Sequence, residues 1–183
     1  VIGIGPVGLM AVAACALRGA SNLFAVGSRP NCQKIALEYG ATKIINYKEG
    51  DIAEQVKKLT NGKGVDKVII AGGGVDIINT AIKMVHPGSI VANIAMVGGD
   101  PNVPLPIYPL PFGYGLGDIT IKGGTCPGGR SRLERLTRLV TTRRVDPSKL
   151  TNYEFHGFDK VEEAYKMMRE KPRDLIKTAV LID

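Results

Sequence analysis

Three glycines near the start of the chain, Gly3, Gly5 and Gly8, have the spacing G-x-G-x-x-G. Gly3 permits a tight turn at the end of a strand. Gly5 lets a diphosphate approach the backbone because it has no Cβ, and Gly8 lets the following helix pack closely on the strand. Pro6 suits the first helical position, where its missing N–H costs no hydrogen bond. The alanine-rich helix that follows ends near Gly19, and its positive N-terminal end would face the phosphates.

The residues around the glycines distinguish a phosphate site from an ordinary turn. The same glycines could serve a turn that binds nothing. Here an apolar strand precedes them, and a helix and a second apolar strand follow, as in dinucleotide-binding domains. We therefore expect cofactor contacts from six consecutive residues: Gly3, Ile4, Gly5, Pro6, Val7 and Gly8.

Apolar runs and helical periodicity alternate along the next hundred residues. The runs predict strands at 22–26, 43–47, 67–71, 89–97 and 119–122, and the periodic segments predict helices at 30–39, 51–59 and 76–85. The strands are unbroken apolar runs, which indicates burial on both faces and hence a parallel sheet. The chain is therefore expected to be α/β, with a Rossmann-type doubly wound parallel sheet and helices on both faces.

The second half of the chain changes character. Five prolines between residues 101 and 111 exclude a helix or a central strand and predict an extended surface segment. After the glycine-rich break at 123–129, a basic amphipathic helix is expected over 130–142, followed by a last helix and a strand at 178–182. The helix over 130–142 is expected to turn four apolar residues inward: Leu133, Leu136, Leu139 and Val140.

Composition narrows the class of protein. The 183 residues are 44% hydrophobic and 22% charged, which is typical of a globular domain, and no run is long or apolar enough to span a membrane. The net charge of +7 suggests an anionic partner, but the 5% aromatic content and the lack of a stacking motif argue against nucleic acid. Because only two residues precede Gly3, we expect the first strand to be cut and the chain to be a fragment.

The cysteines and histidines do not predict a metal site within this chain. The three cysteines are odd in number and far apart, which fits reduced thiols in a cytoplasmic protein. They form no C-x-x-C pair, and only two histidines accompany them. We assign no catalytic and no metal residue.

The end of the second strand predicts the choice of cofactor. An NAD-binding domain carries Asp or Glu about 20 residues past the glycine motif, where it bonds the ribose hydroxyls. This chain has Gly27, Ser28 and Arg29 at that corner and no acid. Gly27 leaves space, Ser28 can donate a hydrogen bond, and Arg29 can bind a 2′-phosphate through its planar guanidinium. The corner predicts NADP(H); the alternatives are a helix-capping Ser28 and a solvent-facing Arg29.

Several separated segments resemble the zinc-containing medium-chain alcohol dehydrogenases, in particular the NADP(H)-dependent secondary alcohol dehydrogenases of anaerobic microbes. The segments are residues 2–10, 25–29, 39–42, 60–66, 121–124 and 171–177. The resemblance implies that residues 1–124 are the cofactor domain and residues 125–183 are the C-terminal piece of a catalytic domain. It also implies that the zinc ligands lie in an N-terminal piece outside this chain.

The resemblance implies further cofactor contacts. Tyr47 matches a residue at the 2′-phosphate, Ile94, Ala95 and Met96 match contacts to the nicotinamide half, and Lys171 matches a basic contact. The family usually has a polar residue followed by an aromatic one where this chain has Ala95 and Met96. A homo-oligomer, dimer or tetramer, is also implied.

The resemblance implies hydride transfer between NADP(H) and a secondary alcohol, its ketone or an aldehyde, with zinc polarising the oxygen. This chain by itself is expected to be inactive. The alternatives are a zinc-free quinone or enone reductase of the same superfamily and a free-standing NADPH-binding regulatory module.

Overall fold

The computed structural model describes residues 1–97, 107 and 117–182. Helices and strands alternate through most of these residues, as the sequence predicts. They are α1 (Pro6–Leu17), β1 (Phe24–Val26), α2 (Pro30–Glu38), β2 (Lys43–Ile45), α3 (Ile52–Leu59), β3 (Val65–Ile70), α4 (Ile77–Met84), β4 (Val85–Asn93), β5 (Thr120–Gly123), α5 (Arg130–Thr141), β6 (Thr151–His156), α6 (Val161–Glu170) and β7 (Lys177–Leu181). Apart from Ile107, the proline-rich segment predicted to be extended lies outside the described residues.

The first five strands and Ile2 form a parallel sheet. β1 pairs with β2, β3 pairs with β4, and β4 pairs with β5, all in parallel. Ile2 bridges in parallel to Val26 of β1 and to Ile70 of β3, and so joins the two groups of strands. The resulting order is β2-β1-Ile2-β3-β4-β5. Successive strands are added on one side of Ile2 and then on the other, which is typical of a doubly wound sheet. The predicted α/β fold is confirmed.

The sheet is buried on both faces by helices. Val26 packs in a cluster with α3 and α4, whereas the adjacent Ala25 packs in a second cluster with α1 and α2. Successive side chains of a strand point to opposite faces, so a strand covered on both sides must be apolar throughout. This is why the runs in the sequence do not alternate.

The start of β4 differs from the prediction. The sequence favours a helix up to Val85 and a strand from Ser89, with Pro87 and Gly88 between them. In the structure β4 begins at Val85 directly after α4. Val65 pairs with Val85 and Lys67 with Ile90, so two steps along β3 oppose five along β4. Pro87 and Gly88 lie in the resulting bulge, where no ladder hydrogen bond is needed from proline.

The apolar side of α5 was predicted to face inward, and this is wrong for the described residues. α5 contains no buried residue, and Leu133 and Leu136 are 66% and 51% exposed. The periodicity predicts an apolar stripe correctly, but the stripe needs a surface to cover it. The parts of the chain that the structure describes do not provide one.

The C-terminal residues form a second, smaller parallel sheet of β6 and β7. Leu150 before β6 and Ile176 before β7 pack in the cluster with α1 and α2. The segment is therefore anchored on one face of the main sheet. A domain boundary at residue 124, directly after β5, stays a prediction. Within the described ranges, no helix is long and apolar enough to cross a membrane.

Candidate functional site

A cleft of about 460 Å³ opens where the parallel strands end. Its lining comes from the turns after Ile2, β1, β2 and β3, together with the starts of α3 and α4. Such a position, at the carboxyl edge of the sheet where the strand order reverses, is the usual ligand site of doubly wound folds. The lining comprises Ile2, Gly3, Ile4, Gly5, Val26, Gly27, Ser28, Arg29, Tyr47, Ile52, Gly72, Gly73 and Ile77.

Two glycines of the motif are required by the fold itself. Gly3 has φ +84°, and a Cβ there would lie 2.7 Å from the backbone nitrogen of Gly72. A Cβ at Gly8 would lie 1.8 Å from the carbonyl oxygen of Gly3. Both distances are far below contact, so a side chain at either position would displace the turn or α1.

Gly5 differs from the other two glycines of the motif. It has an extended conformation, with φ −73°, and a Cβ there would contact only the Arg29 Nη2 atom at 3.6 Å, an ordinary distance. Nothing in the described structure therefore requires glycine at this position. The missing side chain leaves room in the cleft, which fits a ligand that approaches the backbone.

The start of α1 adds free donors beside Gly5. Pro6 occupies the first helical position, and the N–H of Leu9 donates to the Gly5 carbonyl at 2.8 Å. The N–H groups of Val7 and Gly8 precede this first intrahelical bond. Together with the positive end of the helix, they fit the charge of a nucleotide diphosphate.

Gly27 has a packing role that its sequence position does not reveal. A Cβ at Gly27 would lie 2.2 Å from Cγ1 of Ile4, a buried side chain. The absent side chain makes space for Ile4 as well as for a ligand. Replacing Gly27 with aspartate to create an NAD-type corner would therefore also displace Ile4.

Ser28 and Tyr47 form a hydrogen-bonded pair beside the cleft. The Ser28 hydroxyl donates to the Tyr47 hydroxyl oxygen at 2.7 Å, so the hydrogen of Tyr47 is free to be donated outward. Ser28 does not cap α2, because the N-cap residue is Arg29 and no side chain bonds that cap. The capping alternative is therefore not what the structure contains.

Arg29 is anchored. Its Nη1 donates to the carbonyl oxygen of Leu175 at 2.6 Å, and its side chain is half-buried along the cleft. Among the described residues no carboxylate forms an ion pair with it. The solvent-facing alternative is wrong: the guanidinium lies in the cleft with its charge not paired by a described acid.

Other predicted cofactor residues lie outside the cleft lining. Pro6, Val7 and Gly8 begin α1 next to it. Ile94, Ala95 and Met96 follow β4 at the same edge of the sheet, and Met96 is 93% exposed. Asn93 holds this turn through bonds between its side chain and the backbone of Ala95, at 3.0 and 3.1 Å.

Lys171 is likewise away from the cleft lining. It is the C-cap of α6 and has the left-handed conformation, with φ 51°. This conformation ends the helix one residue before Pro172. The segment that follows leads to Leu175, the residue that anchors Arg29.

The cleft also contains residues to which the sequence analysis assigned no role. Gly72 and Gly73 follow β3, and Ile52 and Ile77 begin α3 and α4. The glycine run directly after an apolar strand was the available signal, because every parallel strand ends at this edge. The contact of Arg29 with the Leu175 carbonyl could not be predicted from the sequence. Every residue has a backbone carbonyl, and the two partners are 146 residues apart.

The described residues do not fit a zinc centre. No group of three or more His, Cys, Asp or Glu among them could hold a metal ion. His86 instead contacts the Asp66 carboxylate at 3.2 Å and the Pro87 carbonyl at 2.7 Å. The hydrogen bond to Pro87, and secondarily that to Asp66, raises the pKa of the His86 ring.

Comparison with solved structures supports the fold. Benzyl alcohol dehydrogenase from Acinetobacter calcoaceticus superposes with a TM-score of 0.85 at 23% identity, over 99% of this chain and 48% of that one. Alcohol dehydrogenase TADH from Thermus sp. ATN1 superposes with a TM-score of 0.79 at 26% identity, over 100% of this chain and 51% of that one. The chain therefore has the architecture of half of such an enzyme.

Sequence relatives are more similar. The NADP-dependent isopropanol dehydrogenase of Thermoanaerobacter brockii is 55% identical over 100% of this chain and 51% of its own length. That of Entamoeba histolytica is 53% identical over 100% of this chain and 49% of its own length. The chain thus spans about half the length of these relatives. The sequence model of the family described as zinc-binding dehydrogenase matches residues 6–142, most of the chain, and the protein therefore belongs to this family.

Proposed function

We propose that the cleft binds NADP(H), with the 2′-phosphate at the corner formed by Ser28, Arg29 and Tyr47. The observation that carries the proposal is Arg29, a cation held in the cleft at the end of β1, where an NAD-binding domain would carry an acid. The NADP-dependent relatives from two organisms support the same cofactor.

Each part of the cleft has a task in this proposal. The Arg29 guanidinium and the Tyr47 hydroxyl bind the 2′-phosphate, since both present donors and charge-assisted bonds are strong. Gly5 and the first N–H groups of α1 bind the diphosphate. Ile94, Ala95 and Met96 contact the nicotinamide half, and Lys171 supplies a basic contact. The nicotinamide, when bound, accepts or donates the hydride.

We propose that the whole protein transfers hydride between NADP(H) and a secondary alcohol, its ketone or an aldehyde. The isopropanol dehydrogenases support this reaction class. Residues 1–124 would be the cofactor domain and residues 125–183 the C-terminal piece of a catalytic domain, with the zinc ligands in another part of the protein. The protein would act in the cytoplasm, where the free thiols of Cys15, Cys32 and Cys126 stay reduced. It would assemble as a dimer or tetramer.

Calorimetric titration of the 183-residue chain with NADPH and NADH tests the cofactor proposal. We expect NADPH to bind at least about tenfold more tightly, a difference of roughly 1.4 kcal/mol, and salt to reduce the preference. Arg29→Ala should lower the affinity for NADPH and leave the affinity for NADH nearly unchanged. Arg173→Ala is the matched control, because it removes an exposed cation of the C-terminal segment. Equal affinities in the unmodified chain would contradict the proposal.

A further inference from the structure

The orientation of Arg29 depends on the C-terminal segment. Its Nη1 is bound to the Leu175 carbonyl at 2.6 Å, while its Nη2 lies 3.6 Å from the position of a Cβ at Gly5. The anchor uses one of the five guanidinium donors. Among the described residues no other acceptor is bound to the guanidinium, and the side chain has one defined direction.

The Leu175 carbonyl is itself held in place from both sides. Asn152 Nδ2 donates to the carbonyl of Asp174 at 2.8 Å, and Asn152 Oδ1 accepts the N–H of Ile176 at 2.8 Å. Asn31, from α2, donates to the same Asp174 carbonyl at 2.8 Å. Leu175 and Ile176 are buried. The carbonyl that anchors Arg29 cannot turn without breaking these bonds or exposing these side chains.

A bulge in β6 lets Asn152 reach this segment. Thr151 pairs with Lys177 and Tyr153 pairs with Thr178, so two steps along β6 oppose one along β7. Asn152 is the extra residue. A bulge redirects a side chain away from the regular alternation of the strand, and here the amide spans the residues on either side of Leu175.

We propose that Asn152 is a positioning residue for cofactor choice, which holds the Leu175 carbonyl so that Arg29 is oriented for the 2′-phosphate before the nucleotide arrives. This inference rests on the proposed NADP(H) site. A free arginine side chain loses rotamer entropy when it binds a phosphate, whereas an anchored one has less to lose. NADH has no 2′-phosphate, so its affinity gains nothing from the anchor.

The test compares NADPH and NADH affinities of Asn152→Ala with those of the unmodified chain. We expect the NADPH preference to fall by about two- to tenfold, with NADH affinity unchanged. Lys149→Met is the matched control. Lys149 bonds Glu38 at 2.7 Å, a second polar bridge between the C-terminal segment and α2, but it does not touch the segment around Leu175. Its removal should leave the ratio of the two affinities unchanged.

Combining variants separates this inference from the proposed function. In an Arg29→Ala background, Asn152→Ala should not change the affinity ratio further, because the two residues act as one unit. An equal loss of NADPH and NADH affinity in Asn152→Ala would mean a structural role only and overturn the inference. If Arg29→Ala leaves the ratio unchanged, the proposed phosphate site itself fails.

A second variant covers the case in which Asn152→Ala does not fold. Asn31→Ala removes the other amide that donates to the Asp174 carbonyl and leaves β6 and β7 untouched. A lowered NADPH preference in that variant supports the anchoring inference. Asn152→Asp, which keeps an oxygen to accept the Ile176 N–H but loses the donor to the Asp174 carbonyl, completes the test. An unchanged preference in both Asn31→Ala and Asn152→Asp contradicts the inference.

Discussion

At the scale of single residues, a methyl group should have opposite consequences at Gly5 and at Gly8. Gly5→Ala should change the free energy of unfolding by less than about 1 kcal/mol, because the added Cβ has room and the backbone is extended. It should nevertheless weaken the binding of NADPH, since the methyl group would occupy the space proposed for the diphosphate. Gly8→Ala should destabilise the fold by about 1–3 kcal/mol or more, because the methyl group collides with the Gly3 carbonyl.

Urea unfolding and NADPH titration of both variants check this pair. The two glycines belong to one motif and are three positions apart in the sequence, so each variant is a control for the other. A Gly5→Ala chain that binds NADPH normally would show that the cleft beside Gly5 does not receive the diphosphate.

The tasks of Gly3 and Gly8 could be predicted from the sequence because their spacing reflects a local strand–turn–helix geometry. The contact between Gly27 and Ile4 could not, since it depends on how a side chain of the turn before α1 is packed. The anchor of Arg29 was also beyond prediction. Its partner is a backbone carbonyl, and every residue has one.

At the scale of elements, the bulge at the start of β4 should make stability depend on pH. The pKa of His86 is raised above its ordinary value of 6.5, mainly by the Pro87 carbonyl and next by Asp66. A group whose pKa is raised on folding stabilises the folded state when protonated. This contribution is complete below 6.5 and is lost as the pH rises through the raised value.

Denaturant unfolding from about pH 5.5 to about pH 8.5 measures this contribution. The difference in the free energy of unfolding between the unmodified chain and His86→Gln should shrink as the pH rises. Asp66→Asn should reduce the pH dependence without abolishing it, because the bond to Pro87 remains. A difference that does not vary with pH would show that the protonated ring is not stabilised at this bulge.

The two elements that differ from their predictions, β4 and α5, do so for different reasons. The start of β4 at Val85 depends on a bulge, and bulges follow from pairing with β3 rather than from local periodicity. The apolar stripe of α5 was identified correctly at Leu133 and Leu136. Its burial depends on a surface that the described residues do not supply.

At the scale of the whole molecule, we expect this chain to bind the cofactor without catalysing the reaction. The 183-residue chain should bind NADPH but oxidise no 2-propanol when NADP⁺ and zinc are supplied, because its described acids, cysteines and histidines form no metal-binding group. A coupled absorbance assay at the nicotinamide band measures this directly. The isopropanol dehydrogenase of Thermoanaerobacter brockii is the positive control. Turnover by this chain alone would contradict the expectation.

The doubly wound parallel sheet could be predicted from the sequence because strands and helices alternate and the strands are unbroken apolar runs. What the sequence does not reveal at this scale is how the C-terminal residues attach. Leu150 and Ile176 join the cluster of α1 and α2, although 25 residues lie between them in the sequence and no local pattern predicts this contact.

Local opening of the protein should depend on Ile2, which lies at the centre of the sheet. The backbone of Ile2 joins two halves of the sheet, with the Gly3 N–H bonded to Val26 at 3.0 Å and the Ala71 N–H bonded to Ile2 at 2.8 Å. The cleft lies across this seam, so a nucleotide bound there would contact both halves and hold them together. Amide hydrogen exchange at Gly3 and Ala71 should therefore slow with rising NADPH concentration, as the ligand suppresses the open state.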